Sequence, residues 1–245
     1  MSNEPRQRWR LVVARDEAAR DLLHRDVTAA WDAGLVASGL PIQMSEGATP
    51  RPRVTFAAPA PVGMFAEREL IDVVLTELVP LRDVRAAVAV AAPNGYRVVD
   101  VFDVWLGRPA LAALVVAGDY RAAVAEGVGD GRVGLLGSPE VEAAIAGLLA
   151  APRIEQPRSK GQGMVTIDIR PHIRTLRATG LPAGPSPGAE VELWMRLRLG
   201  GEGGVGRPEE VVAALGERLG RVLVPVRITR ERIVLADDPD AEGSG

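Results

Sequence analysis

The chain has 245 residues, enough for one large domain or two of about 120 residues each. Hydrophobic residues make up 47% and aromatics only 4%, so packed cores of Val, Leu, Ile and Ala are expected and wholesale disorder is excluded. There is no Cys, which excludes disulfides, thiolate metal sites, Cys nucleophiles and any iron–sulfur cluster ligated by this chain, while a formal net charge of −3 argues against a bulk-basic nucleic-acid binder.

The positive charge is almost all arginine, Lys160 being the only lysine. Either codon bias or the use of Arg forks on phosphate and carboxylate accounts for that. The start, Met1 to Arg10, is polar and does not read as a signal peptide, and no apolar run reaches the roughly 20 residues of a membrane helix. A cytoplasmic protein with no membrane partner is expected.

Arg8–Ala14 alternates and is β-branched, which predicts a strand. From Glu17 to Ser38, Leu23, Val27, Ala30, Trp31 and Leu35 fall at helical spacing, with Gly39 as the stop. Leu40–Met44 reads as a short strand. Residues 44–64, MSEGATPRPRVTFAAPAPVGM, follow. Their prolines fix backbone angles and remove N–H donors, so the stretch is neither an ordinary helix nor a central strand. It is expected to be a rigid loop around a strand-like Val54–Phe56, leading to a strand at Glu69–Thr76. Pro80 opens a helix whose face is Leu81, Val84, Val88 and Ala91, closed by Pro93-Asn94-Gly95. Tyr96–Trp105 alternates as a strand. The order β-α-β-β-α-β is the ferredoxin-like pattern.

Gly107-Arg108-Pro109 is the expected boundary between halves spanning 8–107 and 108–236. Ala110–Val124 is strand-like. Ser138-Pro139-Glu140 starts a helix buried through Val141, Ile145, Leu148 and Leu149 and ended by Pro152. Met164–Ile169 and Glu190–Leu199 alternate as strands around a Pro/Gly loop at Leu181–Gly188. Arg207–Glu210 opens a short helix closed by Gly216, and Ile228–Leu235 is a final strand. Asp237–Gly245 is a polar acidic tail expected to be disordered. The fold class expected is α+β, as two tandem ferredoxin-like halves.

The Pro-rich stretch, read as Ser45, Gly47, Pro50, Pro52, Phe56, Pro59, Pro61 and Gly63, resembles a motif of bacterial proteins called radical SAM-associated or radical SAM-linked. His24 and Asp26 match the preceding His-x-Asp, and Glu69, Leu70, Ile71 and Asp72 match an acidic, apolar pair, Asp element. Lys160-Gly161 with Thr166–Pro171, then Gly206–Val211, then Ile228-Thr229-Arg230, are similar to three further elements in the family's order. The chain departs from the pattern at Asp16-Glu17-Ala18 and at Thr49. The resemblance implies a place beside, or fused to, a cobalamin-binding radical SAM protein. With no Cys of its own, the chain would be an accessory or substrate-presenting module, and it is expected to need no cofactor.

The candidate contact residues are His24, Asp26, Arg51, Arg53, Lys160 and Arg170. His is the side chain that titrates near neutrality, so His24 serves either acid–base chemistry, a ligand contact or local structure. Arg51 and Arg53 on a stiff backbone suit phosphate, or are solvated ends of a brace. Arg153, Arg158, Lys160, Arg170, Arg174 and Arg177 form the densest basic window, which would suit an RNA backbone if its strands bring the charges into one stripe. With so few aromatics, stacking of bases on a sheet is disfavoured. Gly200–Gly206 lacks the ending of a P-loop and reads as a hairpin. His172 is expected to be structural. The expected function is a non-catalytic accessory module that binds RNA or presents substrate to a radical SAM partner. The alternatives are a metal-independent ribonuclease using His24, and a protein–protein adaptor.

Overall fold

The computed structural model describes residues 3–127, 138–161, 163–180, 188–189, 191–201 and 203–241. Two compact units are formed, one from Met1–Val115 with Arg230–Asp237, the other from Val116–Thr229 with Asp238–Gly245.

In the first unit, β1 (Gln7–Arg15) sits between β4 (Tyr96–Asp103) and β3 (Phe65–Leu75), antiparallel to both. The short β2 (Val54–Phe56) pairs with β3, as does β10 (Leu223–Leu235), which supplies Arg230–Leu235 to this unit. Alternation puts Trp9, Leu11 and Val13 of β1 and Ile71, Val73 and Leu75 of β3 on one face. There they bury against Val27, Trp31 and Leu35 of α2 (His24–Ala37) and Val84, Val88 and Ala91 of α3 (Leu81–Ala91). The opposite face carries Arg8, Arg10 and Asp72, and these are buried too. Asp72 accepts from Arg10 Nε at 2.7 Å and Nη2 at 3.0 Å and from Arg8 Nε at 2.8 Å, while Arg8 also reaches the carbonyls of Arg108 and Pro109.

The second unit orders its strands β10-β5-β9-β8, with β5 at Val115–Glu126, β8 at Ile173–Gly180 and β9 at Val191–Arg198. Counted along each unit, both sheets run fourth, first, third, second, with β2 as the second strand of the first unit. Two helices, α5 (Ser138–Ala150) and α6 (Pro208–Leu219), bury Val141, Ile145, Leu148, Val211, Val212 and Leu215. A separate hairpin, β6 (Glu155–Lys160) and β7 (Gly163–Asp168), is inserted before β8.

Several expectations are corrected. The helix expected over Glu17–Ser38 is two helices, α1 (Glu17–Arg20) and α2, with Arg15 bound to the carbonyls of Ala19, Arg20 and Leu22 where they meet. Leu40–Met44 makes only isolated bridges, Ile42 to Leu75 and Met44 to Pro52. Leu111–Leu114 is a helical turn, α4, before β5. The strands β6 and β8 were not foreseen. Helix α6 runs through Gly216 and ends at Gly220, whose φ of +66° provides the left-handed cap. The units divide at Val115 rather than at Gly107–Pro109, since β10 is shared and its last residues return beside β3. Of the acidic tail, 237–241 is described, with Asp240 on Arg196 and Ala241 buried, and 242–245 lies outside the described residues. Most of the Leu181–Gly188 loop lies outside the described residues, as does Glu202 of the Gly-rich hairpin.

Candidate functional site

One end of the first unit's core face opens into a small pocket lined by Val13, Arg15, His24, Phe56, Glu69 and Tyr96, with Pro59 and Ala60 at its edge. The strand period builds it. After Trp9, Leu11 and Val13, the next β1 side chain on the core face is Arg15, and after Ile71 toward the start of β3 it is Glu69. Register does the rest, setting Val13 against Glu69 and Arg15 against Tyr96. Helix α2 starts at His24, so its first turn stands over this end of the sheet. The His24 ring meets Phe56 edge-on, 5.4 Å between centroids at 88°.

The pocket's two charged side chains are bound internally. Buried Arg15 donates to the carbonyls of Ala19, Arg20, Leu22, Ala60 and Pro61 at 2.8 to 3.1 Å, tying the α1–α2 turn to the Pro-rich loop. Buried Glu69 takes both its oxygens to Arg230, whose Nε lies 2.7 Å from Oε1 and whose Nη2 also reaches the Ala58 carbonyl. Tyr96 packs edge-to-face on Trp31, 5.7 Å between centroids. Burial raises the Tyr96 phenol above its ordinary value, with Glu69 adding to the effect and the Arg15 and Arg230 cations opposing it. The hydroxyl therefore stays protonated at neutral pH. What the pocket presents is a half-enclosed aromatic and imidazole lining above a closed ionic floor. The enclosed space is only about 20 Å³, so a flat ring would rest across its mouth, in edge and face contact with the lining, rather than inside it.

The Pro-rich stretch is a hairpin followed by a pinned loop. Ser45 N–H donates to the Arg51 carbonyl at 2.8 Å, and Arg53 N–H to the Gln43 carbonyl at 2.7 Å. Of the candidate residues, His24 joins this loop in the pocket. Asp26 is exposed in the first turn of α2, 3.4 Å from Arg25. Arg51 is exposed, and Arg53 donates to the Gln43 side chain at 2.8 Å. Lys160 is exposed at the end of β6, and Arg170 donates to the carbonyls of Leu149 and Ile173 from the 3-10 turn Arg170–His172. The basic window does not gather into one stripe. Arg153 pairs with Glu155, Arg158 with Glu210, Arg174 with the Ala241 carbonyl, and Arg177 lies on Trp194. His172 is buried, with Nε2 2.8 Å from the Gly203 carbonyl oxygen.

Arg15, Glu69, Tyr96 and Arg230 complete the site but are absent from the candidates. A signal existed for two of them, since Glu69 and Arg230 belong to short elements that carried the family resemblance. The same holds for Glu210, bound to Arg158 at 2.6 Å, and for Asp168, which accepts from the N–H groups of Ile154 and Arg170. Those elements mark buried ionic and capping contacts. Among the described residues, no three His, Asp or Glu side chains converge as metal ligands, and no helix is long and apolar enough to cross a membrane.

A family model described as "Uncharacterized protein conserved in bacteria (DUF2344)" matches residues 8–206. No curated protein matches the chain. Among solved structures it is similar to a chain of a Cbf5-Nop10-Gar1 complex, with TM-score 0.48 and 11% identity over 91% of this chain and 48% of that one. It is also similar to a chain of the archaeal box H/ACA sRNP Nop10-Cbf5 complex, with TM-score 0.44 and 10% identity over 89% of this chain and 46% of that one. The chain thus spans about half the length of either.

Proposed function

The chain belongs to the DUF2344 family of proteins conserved in bacteria, and from that premise we propose that it is a non-catalytic accessory module that holds a planar group for a radical SAM partner enzyme. The group is a nucleobase of RNA or the ring of a small substrate. The observation that carries this reading is the pocket in which His24, Phe56 and Tyr96 stand over charges already bound elsewhere. Acid–base catalysis needs a group able to give and take a proton beside a partner that holds it in place. Arg15 is bound to carbonyls and Glu69 to Arg230, so His24 is left as a contact rather than half of a catalytic pair.

The absence of Cys supports the division of labour, because the radical-generating cluster must then sit on the partner. The reading places both proteins in the cytoplasm. It also takes each unit as a ferredoxin-like half, supported by the fourth, first, third, second strand order in both.

The test is a pull-down with the tagged chain from its own cell extract, with and without ribonuclease. The expected result is a co-purifying cysteine-ligated iron–sulfur protein that survives ribonuclease. Recovery of no such protein overturns the partner. Metal-independent RNA cleavage by the purified chain, abolished in His24→Ala, overturns the non-catalytic assignment.

A further inference from the structure

We propose that the second unit carries a separate site for single-stranded RNA on the sheet face turned away from α5 and α6, built on the stacked pair Arg177 and Trp194. The register is the first observation. Trp194, on the inner strand β9, is directly opposite Arg121 of β5 and Arg177 of β8. Its neighbours Leu193 and Met195 are fully buried, so alternation turns Trp194 to the other face, together with Arg196. The second observation is the stack itself. The Arg177 guanidinium lies 4.3 Å from the indole centroid, and Arg196 approaches the same ring at 5.9 Å.

The ligand class follows from what this arrangement offers. Arg177 is exposed, and a guanidinium resting on an indole presents a flat cationic plane outward. Unstacked bases lie on arginine planes and on the aromatics of four-stranded sheets. Charge points the same way. Exposed Arg174, three residues along β8, donates to a neutral carbonyl, that of Ala241, so its charge is open to a phosphate. Asp119 and Asp240 are held on Arg196, while Glu192, 3.3 Å from the Thr179 hydroxyl, keeps its negative charge and would turn the phosphates toward Arg174 and Arg177. The tail supplies a stand-in for the ligand. Asp240 sets its carboxylate 2.8 Å from Arg196, and the next residue gives its carbonyl to Arg174 at 2.7 Å. Acceptor oxygens of the tail therefore already sit on two guanidiniums of this face, as phosphate oxygens would. A protein ligand gains less here, because the face offers exposed guanidiniums and a single aromatic rather than an apolar groove. This site goes beyond the pocket of the first unit and does not depend on it.

The test is fluorescence anisotropy of a labelled short single-stranded RNA of mixed sequence with the full chain, at several salt concentrations. The wild type is expected to bind it and to bind the matching duplex more weakly. Arg177→Ala should weaken binding about tenfold or more. Arg177→Lys should lose most of the same affinity, since an ammonium keeps the charge but has no plane to stack. Both changes are at an exposed position and leave the core intact. Arg174→Ala should weaken binding to all sequences and flatten the salt dependence, and Asp240→Asn should tighten it. Absence of wild-type binding overturns the proposal. So does unchanged affinity in both Arg177 variants, which is binding by net charge alone. Ribonuclease-resistant capture of a protein through Arg177, without RNA affinity, also overturns it by giving the face to a protein.

Discussion

At the scale of the residue, this chain depends on arginines held away from water. Asp72 answers two buried guanidiniums, Arg8 and Arg10, so Asp72→Ala leaves both without a counter-ion and should cost about 3–5 kcal/mol in urea unfolding. Arg15 differs in having carbonyls as its partners. Arg15→Lys should also destabilise, because an ammonium has three donors where five carbonyls from two separate segments must be reached. Asp168 gives a pH signature. Its bond from the Ile154 N–H, joined by that from Arg170, holds its carboxyl below the usual carboxylate range, against a smaller opposing effect of burial. A lowered folded-state value means that the stabilisation is complete above the unfolded value, about 4, and is lost as pH falls through the folded one. Melting curves should therefore show Asp168→Asn below the wild type at neutral pH, with the gap closing in acid. A constant gap down to the acid limit would contradict this origin.

At the scale of the element, helix α2 is fixed as closely by what touches it as by its own sequence. A Cβ on Gly34 would lie 2.1 Å from the Ala91 carbonyl of α3, so Gly34→Ala should push the two helices apart and cost about 1–3 kcal/mol. Chemical denaturation of that single variant checks it. The same element shows what could be read in advance. Val27, Trp31 and Leu35 announced the helix and its buried face, as Val84 and Val88 did for α3. The break at Asp21–Leu23 carries no Pro or Gly; what marks it is Arg15, which donates to the carbonyls of Ala19, Arg20 and Leu22 from β1. Strand β6 is polar or charged at every position but Pro157, so neither period nor composition revealed it. The pocket divides in the same way. His24 and the Pro-rich loop stood out locally, and they do meet through Phe56. Tyr96 depends on register with Arg15, and Glu69 on a partner 161 residues away, and no local pattern encodes either.

For the whole molecule, β10 is decisive. Its first part belongs to the second unit and its end, from Arg230, to the first. A fragment of residues 1–115 lacks the strand beside β3 and leaves Glu69 buried without Arg230. It should show no cooperative thermal transition by circular dichroism, whereas the full chain should; a sharp melt of the fragment would refute the dependence. The resemblance in element order between the halves invites a single cut, and the shared strand forbids it. That interleaving also bears on how the protein is made. A ribosome delivers the chain from the amino end, and the first unit must wait, its ion pair unformed and the part of β3 beyond β2 without its neighbour, until all of Val116–Thr229 and β10 have emerged. Whatever shields the nascent first unit from aggregation must therefore act until β10 has emerged, and folding of that unit is set by the arrival of this distant strand.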